Sequence, residues 1–377
     1  MLHTISDDQL DRALRARDLT DPGGGEHCMQ QLVEGAVATL AGTWAADVHL
    51  RRAGRVVSVA DNYDALRYPP DGVSRDARYT RYVSKGTLLR TQTSAMIPPL
   101  LRELAREPPA DVLLACPGLV YRRDCIDRLH TGEPHQLDLW RIRRGPPLAR
   151  GDLERMIACV VRAALPGRAH AISDSMHPYT TGGLQIDVED RGVWIEIGEC
   201  GLAHPEVLAR AGLDPSQWSG LAMGLGLDRL VMMKKGIDDI RLLRSEDPRV
   251  VSQMLDLTPY RAVSGMPPVR RDLSLAMWPP IDAELVGDRV RASLGDAAEL
   301  LEEVVVLGET PGAELPAVAA ERLGLAAGQH NVLVRITLRA LDRTLTSEAC
   351  NELRDRVYAA LHEGTVYSWA SGRPPRA

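Results

Sequence analysis

The sequence predicts an α+β protein: an antiparallel sheet flanked by helices, followed by a smaller α/β sandwich. Three observations carry this expectation. Apolar–polar alternation recurs in paired runs divided by turn signals. HQLDLWRI follows the polar loop CIDRLHTGEP, and LQIDVED is joined to GVWIEIGEC at Asp190-Arg191-Gly192. Beyond residue 266 the patterns run strand, helix, strand, strand, helix, the order of a small sandwich. A chain of 377 residues also exceeds one ordinary core, so two domains are expected, 1–258 and 259–377.

Taken in order, residues 5–41 carry helical spacing, with Leu10, Leu14 and Leu19, then Leu32, Ala36, Val37 and Leu40. ARYTRYVSKGTLLRTQTSAMIPPLLREL predicts a strand, a turn at Lys85-Gly86, a second strand and a helix entered through Pro98-Pro99. DVLLACPGLVYRRD and HQLDLWRI form an antiparallel pair, with Arg122 mid-strand, and a helix spans Asp152 to Ala164. SGLAMGLGLDRLVMMKKG runs into a helix from about Asp228, and a connector of low periodicity fills Asp238 to Met266. In the second domain PPVRRDLSLAM, ELLEEVVVLGE and NVLVRITLRAL are strands, while IDAELVGDRVRASLG and TSEACNELRDRVYAALHE are helices. The tail SGRPPRA is expected to lack order.

Composition narrows the function classes. Hydrophobic content of 45% and charged content of 25% are those of a soluble globular chain. No apolar run approaches the ~20 residues that span a bilayer, and no signal segment opens the sequence, so a cytoplasmic protein without a membrane partner is expected. The six cysteines are scattered without a C-x-x-C pair, against a disulfide framework or zinc cage. A net charge of −6 requires any nucleic acid to be held by a local basic patch. Lysine occurs only at Lys85, Lys234 and Lys235, and phenylalanine is absent.

The chemistry concentrates around Gly224, Gly226 and Arg229. Glycines without a Cβ let a ligand approach the strand, while a helix N-terminus and a guanidinium attract anionic oxygen. GLGLDRL lacks the third glycine of a dinucleotide fingerprint, and no G-x-x-x-x-G-K-[ST] exists. Arg122 in VYRRDC is the second candidate cation. A phosphate site built from two arginines on an antiparallel sheet remains.

These residues carry a resemblance. VYRRD, RTQTSA, HQLDL, WIEIGECGLAHPEVL and GLGLDRLVMMKKGIDDIRLLR together resemble the class II aminoacyl-tRNA synthetases, in particular the phenylalanyl-tRNA synthetase core. PPVRRDLSLAM and NVLVRITLRALDRTLTSEACNELRDRVYAALHEG resemble its ferredoxin-fold anticodon-binding domain, and core followed directly by that module is similar to the single-chain organellar form. The resemblance implies a ligase that adenylates an amino acid with ATP and Mg²⁺ and transfers it to tRNA. Arg122 matches the arginine at the ATP α-phosphate and Asp124 its acidic partner. Arg229 matches the arginine of the adenine and γ-phosphate, His130 and His135 match histidines at the nucleotide, and Glu196 matches an acidic strand residue. Gln92, Ser94, Gln136, Asp138, His177, Tyr179 and Gln185 fall in the amino-acid site. Arg270, Arg271, Arg335, Arg339 and Arg343 would contact tRNA phosphates. Which residues hold the metal is left open by the sequence, as is the oligomeric state.

Several positions depart from the family pattern. Its F-P-F substrate clamp is His177-Pro178-Tyr179 here, its F-H-Q is Pro134-His135-Gln136, and its T-H-T-S is Thr91-Gln92-Thr93-Ser94. Asp138 and Asp228 stand in place of glutamates, and the proline of motif 1 near Gly54 is missing. Trp140 is a candidate to stack on adenine where Pro134 removes the family's ring. A His/Tyr clamp adds polar handles, so an amino acid other than phenylalanine is one expectation; simple packing of both side chains is the other. Two further readings stay open: a ligase acylating a small molecule or carrier protein, and a non-catalytic tRNA-binding relative.

Overall fold

The computed structural model describes residues 4–107, 109–122, 127–263 and 266–367. The elements run α1 (Asp7–Arg15), α2 (Cys28–Trp44), β1 (Asp47–Leu50), β2 (Val56–Ser58), β3 (Thr87–Leu89), α3 (Ile97–Leu104), β4 (Asp111–Leu119) and β5 (His135–Arg144). There follow α4 (Arg150–Ala164), β6 (His170–Asp174), β7 (Thr180–Asp190), β8 (Val193–Ala203), α5 (Pro205–Arg210), β9 (Trp218–Gly226), α6 (Leu227–Lys235) and α7 (Pro248–Val251). The last set is β10 (Val269–Met277), α8 (Ala283–Leu294), β11 (Leu301–Pro311), α9 (Ala317–Leu323), β12 (His330–Leu338) and α10 (Ser347–Leu361).

Two compact units result. The first comprises 1–122, 133–237 and 252–260; the second comprises 123–132, 238–251 and 261–377. The first holds a seven-stranded sheet in the order β1-β4-β5-β9-β8-β7-β6, antiparallel throughout except for the parallel β1–β4 edge. Local chemistry explains its joints. Arg191 and Gly192 both adopt positive φ, the twist a tight hairpin needs between β7 and β8. Pro98 and Pro99 sit in the first turn of α3, where a missing N–H leaves no bond unmade. Gly236 closes α6 in the left-handed conformation.

Cross-strand register defines the faces. Cys116, Asp138, Gly224, Glu199 and Gln185 are successive partners across β4, β5, β9, β8 and β7, so they form one row on one face. The neighbouring row on that face holds Leu114, Trp140, Ala222 and Gly201. At the Trp140 end the face is sealed by a core with Met96, Ile97, Leu101, Val207 and Leu208. Toward Gln136 and Gly226 it opens.

The second unit pairs β10-β12-β11, with β12 central and antiparallel to both neighbours. Its core joins Leu273, Leu275, Val332, Val334 and Ile336 to Val286 and Val290 of α8 and Leu353, Val357 and Leu361 of α10. Alternation along β12 therefore reads as expected, one face on the helices and one in water.

Three sequence expectations change. The strand expected over 77–83 is absent; only Tyr82 forms isolated bridges, and β3 pairs instead with β2. Arg122 lies just past the end of β4 rather than mid-strand. The connector after Asp238 contains a 3₁₀ turn at Ile240–Arg244 and the short α7. The C-terminal tail lies outside the described residues.

Candidate active site

Arg122 follows β4 and holds its guanidinium by donating Nε–H to the Thr91 carbonyl at 2.9 Å. Arg229 sits in the first turn of α6 and donates to the Glu196 carbonyl at 3.0 Å. The two arginines converge electrostatically: both positive charges act on the Glu196 carboxyl. That carboxyl nevertheless titrates above the usual range, because partial burial and the neighbouring Glu199 and Asp187 charges outweigh the cations.

Glu196 and Glu199 should alternate faces on a regular strand, being three apart. A bulge in β8 prevents this. Gln185 pairs with Glu199, yet Asp187, two residues on, pairs with Glu196, so both glutamates reach the same face. Their environments push them apart. Glu199 is held below the usual carboxylate range: burial opposes this, but the hydrogen bonds and charge of His177 and the Ser175 hydroxyl prevail. Ser175 Oγ donates to Glu199 at 2.6 Å and His177 Nε2 forms a short pair with it.

The opening glycines are of two kinds. A Cβ at Gly224 would stand 3.9 Å from Asp138 Oδ2, and one at Gly226 would stand 3.8 Å from the Ile197 carbonyl. Those are ordinary contacts, so packing does not demand glycine there, and the bare backbone leaves open floor over the sheet. At Gly198, by contrast, a Cβ would overlap the Gly224 carbonyl oxygen.

Beside this floor Asp138 is buried and accepts from Thr93 Oγ1 at 2.7 Å, Ser94 Oγ at 2.9 Å and Trp140 Nε1 at 3.1 Å. Burial raises its pKa, opposed by those three donors and by Arg122. Gln136 accepts from the Thr93 N–H at 3.3 Å. Gln92 accepts from Tyr68 Oη at 3.0 Å and donates to the Asn62 carbonyl. Gln185 donates to Asp187 at 3.0 Å. Tyr179 is buried, stacked on Trp140 with centroids 5.9 Å apart, and near Tyr68 and His177.

Other expected residues land elsewhere. His135 is fully buried with both ring nitrogens engaged: Nδ1 pairs with Asp228 at 2.9 Å and Nε2 accepts the Leu19 N–H at 3.1 Å. It braces α6 against β5. His130 belongs to the second unit, paired with Asp127. Asp124 lies outside the described residues. Trp140 does not take adenine; it is fully buried two residues beyond Asp138. In the second unit Arg335 is paired bidentately with Asp272, Arg339 with Glu302 and Arg343 with Asp342, while Arg271 bonds Asn351 and Ser347 and Arg270 is exposed. Sequence reading missed Glu199, Tyr68 and Thr93; the repeated glutamate of WIEIGEC was the available signal, hidden by the bulge.

The family model for the tRNA synthetases class II core domain (F) matches residues 22–254, more than half of the chain. The chain belongs to the class II tRNA synthetase core family. The seven-stranded, largely antiparallel sheet is that family's core. Among curated relatives, the phenylalanine–tRNA ligase alpha subunit of Prochlorococcus marinus (strain MIT 9313) is 38% identical over 192 residues, 51% of this chain and 56% of the relative. The corresponding alpha subunit of Nostoc punctiforme is 36% identical over the same shares, and that of Synechocystis sp. (strain PCC 6803) is 36% identical over 194 residues. The chain thus spans about half the length of the curated relatives it matches. Among the described residues no helix is long and apolar enough to cross a membrane.

Proposed function

We propose that this chain is a phenylalanyl-tRNA synthetase-like ligase that activates an amino acid with ATP and passes the acyl group to tRNA. What supports the reading is a pair of guanidinium groups held through backbone carbonyls, Arg122 on Thr91 and Arg229 on Glu196, together with the open floor at Gly224 and Gly226. In adenylation the amino-acid carboxylate attacks the α-phosphorus and pyrophosphate leaves. Negative charge builds on the phosphoryl oxygens, and fixed guanidinium groups favour it without reorganising. Arg122, oriented by Thr91, serves the α-phosphate; Arg229, oriented by the Glu196 carbonyl, serves the distal end. The carboxylate is already the nucleophile, so no general base is required.

Mg²⁺ would neutralise phosphate charge and orient pyrophosphate for departure. No group of three or more metal-ligating side chains exists among the described residues, which fits an ion that draws most ligands from phosphates and water. Glu196, exposed and with no side-chain hydrogen bond among the described residues, suits that minor protein share.

The relatives are named alpha subunits, each one part of a larger enzyme. Here a second α/β unit follows the core in the same chain, and its β12-centred sheet supports a ferredoxin-fold module that grips tRNA. Pyrophosphate exchange run beside aminoacylation of total tRNA tests the proposal. Both positive sustain it. Exchange without tRNA charging indicates transfer to another acceptor, and neither indicates a non-catalytic relative.

A further inference from the structure

The same site limits which amino acid fits, an inference that rests on the adenylating reading above. Its open floor runs from Gly226 to Gly224 and stops at the next row. There Gly201 is not open: a Cβ on it would stand 2.6 Å from Thr180 Cβ, so β7 already covers that position. Above Ala222 and Gly201 the volume is taken by this chain's own rings. Trp140 is fully buried, Tyr179 is 9% exposed, and the two stack with an interplanar angle of 23°. Tyr68 and His177 both lie near Tyr179, with ring centroids 6.2 Å and 5.4 Å from it. The aromatic slot at this end of the sheet is therefore filled from within.

The groups that remain beside Gly224 are polar. Asp138 lies in the same row on β5 and Glu199 on β8, each with hydroxyl donors. Gln136 flanks the row on the arginine side, and His177 stands on Glu199. An amino acid whose carboxylate lies toward Arg122 would direct its side chain from Gly226 toward the Trp140–Tyr179 stack. It would meet hydrogen-bonding groups first and a wall second. We infer that the amino acid activated here carries a short, hydrogen-bonding side chain, with Tyr179 and Trp140 as the residues that exclude a phenyl ring.

Hydrogen-bonding pockets discriminate strongly against analogues that leave their groups unpaired, by ~10⁴-fold or more, whereas volume alone gives far less. ATP–pyrophosphate exchange by the full chain, measured with each of the twenty amino acids, is the test. The expected result is a best kcat/KM with one of serine, threonine, cysteine, asparagine or aspartate, and phenylalanine at least ~10²-fold lower. A best substrate outside that set overturns the inference while leaving the adenylating reading intact. No exchange with any amino acid removes that reading and this inference with it. As a second measurement, Tyr179→Ala should raise the phenylalanine-to-best-substrate ratio of kcat/KM by at least ~10-fold. ATP uptake by calorimetry reports that the variant is folded, and an unchanged ratio in the folded variant denies Tyr179 its excluding role.

Discussion

Two arginines from segments far apart in the chain are each oriented through a backbone carbonyl, Arg122 by Thr91 and Arg229 by Glu196. Arg122→Ala and Arg229→Ala should each lower kcat/KM for pyrophosphate exchange by ~10²-fold or more, the usual cost of losing one charge-stabilising donor, with circular dichroism unchanged. The neighbouring glutamates predict opposite pH behaviour. Glu199 titrates below its ordinary value, so the stability it lends is complete above the unfolded pKa of about 4.3 and disappears as pH falls through the folded one. Glu196 titrates above it, so its contribution is complete at lower pH and disappears as pH rises through its folded value. Carboxyl ¹³C titration of the His177→Ala variant should show Glu199 moving upward; an unmoved Glu199 would discard the assigned cause.

At the level of elements, the bulge in β8 decides whether both glutamates share the site. Gly198 permits it by letting β8 lie directly against β9. Gly198→Ala should destabilise by about 1–3 kcal/mol in urea denaturation, the cost of overpacking. Gly226→Ala, which meets only ordinary contacts, should unfold like the parent yet bind ATP more weakly in calorimetry. These two glycines illustrate what the sequence conveys. The β4–β5 and β7–β8 pairings were legible, because alternation and turn residues are local signals. The bulge was not, since a one-residue slip depends on the neighbouring strand's register rather than on WIEIGEC itself. His135, placed at the nucleotide by resemblance, is instead held by Asp228 and by the Leu19 N–H, which another part of the chain supplies. The strand expected at 77–83 belongs with these: the ladder of β3 runs to β2, distant in sequence, and only Tyr82 bridges Leu88.

At the scale of the whole molecule, residues 13–20 seal the end of the first unit's sheet. Asp18 accepts the Leu119 N–H at 3.0 Å and faces the buried Arg90 at 3.8 Å. The Ala13 carbonyl accepts from Tyr121 Oη and Arg55, and the Thr20 carbonyl from Arg52. Removing one member of a buried charge pair strands the other, so Asp18→Ala should cost about 3 kcal/mol in equilibrium unfolding. A loss under about 0.5 kcal/mol would show the segment to be a mere surface covering.

Leu19 leaves the ribosome 116 residues ahead of the imidazole that receives its N–H. During synthesis that stretch must therefore travel without its destination until β5 emerges, and this end of the sheet closes late.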